Sequence, residues 1–129
     1  MNKKDKKQIF RFLIAGFSAV GTDFFTYHLL IMILSKSIAK GISFILGTIV
    51  AYLINKYWTF EKKEKSYSEM VKFMFLYLFT LSVNVGINKI FIMLNAGINL
   101  AFLFATATSA TLNFIGQKWW VFAEKKRKR

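Results

Sequence analysis

The chain has 129 residues, of which 55% are hydrophobic, yet its formal net charge is +13. A soluble domain of this size has too little interior to hide so much apolar surface, so a water-soluble fold is excluded. The cations lie in blocks between apolar runs, which argues against nucleic-acid binding, and with no cysteine and one histidine we expect no disulfide, no metal site and no cofactor.

Four apolar segments are long enough to cross a bilayer, since a spanning helix needs about 20 mainly apolar residues. In chain order the predicted spans cover residues 12–34, 38–57, 73–94 and 96–117. The first is longer than the apolar core of a signal peptide and has Asp23 at its midpoint, so we expect it to be retained. The expected fold class is therefore an all-α integral membrane protein with four transmembrane helices.

The distribution of cations predicts the orientation of these spans. Most of the 19 lysines and arginines precede the first span, lie between the second and third, or follow the fourth, where residues 125–129 form a basic run. The two opposite connections hold only Lys36 and Lys40. Because cytoplasmic loops carry the excess of positive charge, both termini and the central loop are expected in the cytoplasm of a cell whose cytoplasmic membrane holds the protein. The basic run also suits contact with anionic lipid.

The two halves of the chain are related. Residues 11–12 match residues 72–73 at an offset of 61, and an offset of 62 matches the string 56–60 (Lys-Tyr-Trp-Thr-Phe) with 118–122 (Lys-Trp-Trp-Val-Phe). This predicts a single membrane domain over 1–129: a first repeat over about 9–60, a cytoplasmic loop over 61–70, a second repeat over about 71–122 and a basic tail over 123–129. Each repeat has two spans, so both helical hairpins share one orientation.

Polar side chains inside the spans are the first candidate site. A charged carboxylate at the bilayer centre costs at least about 2.5–3.5 kcal/mol, so Asp23 should face the bundle interior with a partner. Asn84 is its equivalent in the second repeat and a candidate partner; other candidates are Thr22, Thr26 and Asn88. Asp23 has either a functional role or only a structural one, in which it holds helices together. We expect His28 to be a packing residue. Its equivalent Lys89 is expected to extend its side chain to the outer interface. A functional role stays open for both.

The two aromatic strings together form the second candidate site. A lysine stands beside two aromatic residues at the end of each even-numbered span, preceded by Asn55 in one half and Asn113 in the other. An ordinary aromatic belt is the alternative explanation. With the cations that begin the odd-numbered spans, the strings would ring the cytoplasmic mouth with positive charge suited to a phosphate or diphosphate: Arg11, Lys56, Lys72 and Lys118. The small pairs Gly47 with Ala51 and Ala105 with Ser109 are expected to permit close helix packing.

These motifs carry a family resemblance. Residues 11–13 with Gly16 and Asp23, the string 55–60, and residues 113–114 followed by 118–122 resemble the GtrA-like family of small four-span membrane proteins, over about residues 8–122. The resemblance implies a role in cell-surface polysaccharide or teichoic acid glycosylation, in which a polyprenyl-phosphate-linked sugar reaches the outer leaflet for a separate membrane glycosyltransferase. The family commonly has arginine where this chain has Lys118, which keeps the charge but loses bidentate geometry.

Sequence and resemblance together predict a transporter, not an enzyme, that flips a polyprenyl-phosphate-linked sugar and works as a homo-oligomer or with a partner subunit. The expected binding residues for the phosphate and sugar are Arg11, Asp23, Asn55, Lys56, Trp58, Lys72, Asn84, Lys89, Asn113, Lys118 and Trp120. Two alternatives stay open: an accessory subunit that anchors a membrane glycosyltransferase, and a cation or drug exporter that uses Asp23 for coupling.

Overall fold

The computed structural model of the chain describes residues 1–64 and 66–123, so the basic run 125–129 lies outside the described residues. All secondary-structure elements in the described part are helices, and this part contains no strand. Its α-helices are α1 (Lys3–Leu30), α2 (Lys36–Ile54), α3 (Tyr67–Met93) and α4 (Ile98–Gly116). α2 and α4 each continue into a single π-helical turn, Asn55–Thr59 and Gln117–Val121, called here the first and second π turns.

Four stretches are long and apolar enough to cross a membrane: Lys3–Leu30, Ile38–Thr59, Tyr67–Met93 and Ile98–Val121. Large apolar side chains such as Phe17, Phe25, Phe75 and Phe102 are exposed along the helices, where lipid would cover them. The expected all-α fold with four spanning helices is therefore confirmed, and the chain is a multi-pass membrane protein.

The chain divides into two compact units, Met1–Glu64 and Lys65–Arg129. In the first, α1 packs against α2 and the first π turn; in the second, α3 packs against α4 and the second π turn. Each unit is thus a helical hairpin. We call the end at which the first helix of a hairpin begins and its π turn lies the open end, and the opposite end, at residues 31–35 or 94–97, the loop end.

Both odd-numbered helices begin earlier than their apolar patterns predicted, because polar caps extend them. At the start of α1, Asn2 Oδ1 accepts a hydrogen bond from the Asp5 amide (2.8 Å) and the Asp5 carboxylate accepts one from the Asn2 amide (3.4 Å). The Ser66 hydroxyl caps α3 by accepting from the Glu69 amide (3.3 Å). Such capping satisfies helix-terminal N–H groups regardless of apolar content. The central connection is consequently shorter than the predicted 61–70.

A stripe at every fourth residue forms the inner face of each even-numbered helix. In the first hairpin it is Ala39, Ser43, Gly47, Ala51 and Asn55, and in the second Ala101, Ala105, Ser109, Asn113 and Gln117. Small side chains let the two helix backbones approach closely. A Cβ added to Gly47 would stand 2.8 Å from the Ala19 carbonyl oxygen of α1. The packing role predicted for the small-residue pairs is confirmed.

Candidate open-end site

Arg11 links the two helices at the open end of the first hairpin. Its Nη1 atom donates to the Trp58 carbonyl oxygen (2.7 Å) and to Glu61 Oε1 (3.3 Å), and its guanidinium lies 4.9 Å from the centre of the Trp58 ring. The last carbonyl groups of a helix lack intrahelical donors, so Arg11 caps the first π turn. In the described part of the chain, its Nε and Nη2 donors have no partner.

Lys56 lies inside the same open end, with only 2% of its surface exposed. Its ammonium stands 5.9 Å from the Tyr52 ring centre and 5.6 Å from that of Tyr57, within the range of cation–π attraction. Asn55 and Thr59 are buried beside it in the chain, and the Thr59 hydroxyl donates to Asn55 Oδ1 (2.9 Å). The π turn thus directs amide, ammonium and hydroxyl groups into the hairpin instead of toward lipid.

The second hairpin repeats this arrangement with different polar groups. Gln117 stands at the position of Asn55, and Val121 at the position of Thr59. Gln117 is fully buried (0% exposed), and neither atom of its side-chain amide has a hydrogen-bond partner in the described part of the chain. The valine cannot supply the hydroxyl that Thr59 gives to Asn55. This open end therefore holds a buried amide with both its donor and its acceptor unused.

The cations of the second open end lie over aromatic rings. The Lys118 ammonium is 5.0 Å from the Trp119 ring centre and 5.8 Å from that of Phe114, and the Lys72 ammonium is 5.9 Å from the Trp120 ring centre. Lys118 is half-buried, whereas its equivalent Lys56 is buried. Each hairpin therefore brings its two predicted cations and its predicted tryptophan, Trp58 or Trp120, to one end.

In the structure, the second motif has a glutamine, not Asn113, at the position equivalent to Asn55. Asn113 lies one helical turn before Gln117, at the position that Ala51 occupies in the first hairpin, and its Oδ1 accepts from the Thr80 hydroxyl (2.8 Å). The equivalent of Asn55 is Gln117, which sequence reasoning missed. The signal was present, since the offset of 62 that aligns Lys56 with Lys118 also aligns Asn55 with Gln117.

Asp23 forms an ion pair within its own hairpin, nearer the loop end than the predicted midpoint because α1 ends at Leu30. Both of its carboxylate oxygens lie 2.8 Å from the Lys40 ammonium, and Oδ1 accepts from the Ser43 hydroxyl (2.6 Å). Neither of these α2 residues was named as a partner from the sequence, which assigned Lys40 only to topology. Asn84, the equivalent of Asp23, donates from Nδ2 to the Ser109 hydroxyl (2.9 Å).

Two further predicted residues lie near the loop ends. His28 is in the last turn of α1, where its ring packs against Phe24 (4.3 Å between centres) and Tyr27 (5.5 Å). Both rings belong to α1 itself, so the expected role of His28 in packing between helices stays a prediction. Lys89 is exposed near the end of α3, a position from which its stem can reach the interface.

The chain matches the family model described as GtrA/DPMS, transmembrane domain, over residues 11–122. The matched range begins at Arg11, which caps the first π turn, and ends at Phe122, directly after the second π turn. It therefore includes both hairpins except residues 3–10 at the start of α1.

Proposed function

The chain belongs to the GtrA/DPMS transmembrane-domain family, membrane proteins linked to glycosylation, and from this premise we propose that it moves a polyprenyl-phosphate-linked sugar across the cytoplasmic membrane. The observation that carries the proposal is the convergence of cations and tryptophan at one end of each hairpin. Arg11 keeps Nε and Nη2 donors unused in the described structure while its Nη1 is bound to Trp58 and Glu61. Guanidinium and ammonium groups at a membrane surface are suited to a lipid phosphate.

The proposed orientation places the open ends in the cytoplasm. The blocks of lysine and arginine adjoin the open ends, whereas the loop ends hold few cations, and cytoplasmic segments carry the excess of positive charge. The carrier phosphate would then be recruited from the cytoplasmic leaflet by Arg11, Lys56, Lys72 and Lys118. Trp58 and Trp120 would lie at the headgroup level, where indole rings are favoured.

Polar groups along the hairpin interiors support passage of the sugar. Thr80 with Asn113 and Asn84 with Ser109 form two hydrogen-bonded steps between α3 and α4, and Asp23 provides carboxylate oxygens in the first hairpin. Sugar hydroxyls both donate and accept, so these groups offer them exchange partners in an apolar surrounding. Two hairpins make a thin wall around a polar headgroup, so further copies or a membrane glycosyltransferase would complete the path.

A liposome assay tests the proposal. Purified protein is reconstituted with a labelled short-chain polyprenyl-phosphate sugar, and the transfer of label to the outer leaflet is followed for a panel of sugars. We expect wild-type protein to accelerate transfer, and Lys56→Met and Lys118→Met each to slow it. Lys36→Met, an exposed lysine at the loop end, is the matched control.

The rival functions give different outcomes in the same assay. Correctly folded wild-type protein that moves none of the labelled lipids would contradict self-sufficient translocation and favour an accessory subunit. An exporter predicts that Asp23→Asn abolishes transport of its own substrate while Lys56 and Lys118 are dispensable.

A further inference from the structure

The ion pair of Asp23 and Lys40, called here the loop-end pair, lies at the opposite end of the first hairpin from the open-end cations. The Lys40 ammonium contacts both carboxylate oxygens at 2.8 Å and lies 5.8 Å from the Tyr27 ring centre. The two side chains differ in access: 58% of the Lys40 side chain is exposed, against 20% for Asp23. The lysine thus presents an open side to an incoming anion while the carboxylate holds it from within.

Helix packing at this depth does not require charge. In the second hairpin the equivalents of Asp23, Lys40 and Ser43 are Asn84, Phe102 and Ala105. There the corresponding helices, α3 and α4, are joined by a neutral hydrogen bond from Asn84 to Ser109. The Asp23 carboxylate, only 20% exposed, carries a desolvation cost that the neutral Asn84 amide avoids. The charges of the loop-end pair therefore call for an explanation other than helix association.

We propose that the loop-end pair is an anion-exchange site, at which the carrier phosphate displaces the Asp23 carboxylate from Lys40 and is later displaced by it. This inference deepens the proposed function and rests on it. Phosphate and carboxylate oxygens are alternative acceptors for the same ammonium donors. A lysine without a counter-ion would retain the phosphate, whereas the adjacent carboxylate restores a neutral pair when the lipid leaves. Lys40 would receive the headgroup and Asp23 would release it.

Binding of dodecyl phosphate to the full-length protein in neutral detergent tests the exchange. Asp23→Asn removes the competing carboxylate, so we expect the affinity to rise about tenfold or more, the range of one hydrogen bond to a charged group. Asp23→Asn combined with Lys40→Met should bring the affinity down to the wild-type value or below it, because the gain depends on the freed ammonium. Lys36→Met, which removes an exposed loop-end lysine outside the pair, should change nothing.

Unchanged or weaker binding by Asp23→Asn would overturn the proposal, as would a gain that persists when Lys40 is also replaced. The charge-exchanged variant, Asp23→Lys with Lys40→Asp, separates exchange from helix association and keeps an ion pair that supports folding. We expect it to bind dodecyl phosphate more weakly than wild type and to move the lipid-linked sugar more slowly. Full recovery of both would show a purely structural pair.

The two proposals fail in different ways. Dodecyl phosphate carries no sugar and need not cross the bilayer, so the change in its affinity caused by Asp23→Asn reports the exchange and not the transport. Wild-type protein that shows the expected binding changes but moves no sugar lipid would contradict translocation and leave the anion site standing. If the wild-type protein moves the sugar lipid but Asp23→Asn has no effect on dodecyl phosphate binding, only the exchange is contradicted.

Discussion

Arg11 and Lys72 occupy equivalent positions at the two open ends, but their side chains make different contacts there. The guanidinium of Arg11 bonds to the Trp58 carbonyl and still offers two other nitrogen atoms as donors. The ammonium of Lys72 is a single point charge and lies over the Trp120 ring. A planar fork can bridge two acceptors where an ammonium acts as a point charge. The first hairpin would therefore combine helix capping and the proposed anion binding in one residue.

Gln117 gives the sharpest prediction at the residue scale, because its buried amide has no partner in the described structure. A buried polar group left unsatisfied costs about 1–3 kcal/mol, and an apolar group of the same shape avoids that cost. Gln117→Met should therefore leave the free energy of unfolding unchanged or raise it. A sugar hydroxyl can satisfy both the donor and the acceptor of this amide. If the amide binds such a hydroxyl, Gln117→Met should bind the sugar-bearing lipid less tightly than wild type. Its binding of the bare polyprenyl phosphate should be unchanged.

Asn55→Leu is the matched control for that measurement, made by denaturant unfolding in detergent. It removes the acceptor of the Thr59 hydroxyl, so it should lower stability where Gln117→Met does not. A loss of stability in Gln117→Met as large as that in Asn55→Leu, without ligand, would show that the amide already has a structural partner and would remove the ligand-binding interpretation.

Residue identity alone revealed the cations of both open ends but not their partners. The offsets of 61 and 62 aligned Arg11 with Lys72 and Lys56 with Lys118, and the structure places each pair at equivalent ends. The partner of Asp23 could not be found in this way, because Lys40 has a phenylalanine as its equivalent. Repeat alignment detects what the halves share, and the ion pair is a feature of one half only.

At the scale of elements, apolar windows located all four helices and misplaced their ends. Hydropathy reports where lipid covers a helix, whereas capping hydrogen bonds decide where the helix begins, so α1 starts at Lys3. The π turns were also missed. At the end of each turn a backbone amide donates to the carbonyl five residues earlier instead of four, from Phe60 to Asn55 and from Phe122 to Gln117 (both 2.8 Å). Such turns are rare in proteins and occur often at functional sites.

The contact between α1 and α2 depends on Gly47. A Cβ there would lie 2.8 Å from a backbone oxygen of α1 and 3.2 Å from the Asp23 Cβ atom, so the helices must separate to admit it. Gly47→Ala should lower the free energy of unfolding by about 1–3 kcal/mol, the usual cost of overpacking. Gly41→Ala on the same helix is the control, since nothing lies within 4 Å of its added methyl group. Thermal unfolding in detergent compares them, and equal stability of the two variants would contradict the close helix contact.

On the scale of the whole molecule, the two hairpins share one plan and differ in chemistry. The first joins its helices by an ion pair, and the second by hydrogen bonds of amides with hydroxyls. The sequence predicted the plan because composition and repetition determine it. It could not predict the difference in interior chemistry, which depends on side chains from separate helices meeting in space. Duplication of one hairpin followed by divergence of its interior accounts for both features.

The last prediction concerns the orientation on which the proposed direction of transport depends. The chain has no native cysteine, so single cysteines report sidedness without background. Ser35→Cys and Asn95→Cys lie at the two loop ends, and Lys63→Cys lies in the connection beside the first open end. The excess of cations near the open ends predicts that a membrane-impermeant thiol reagent labels the two loop-end cysteines in intact cells. The Lys63→Cys variant should react only after permeabilisation.

Labelling of the Lys63→Cys variant from outside would place the open-end cations away from the cytoplasm. Labelling of the two loop ends from opposite sides would contradict the shared orientation of the hairpins.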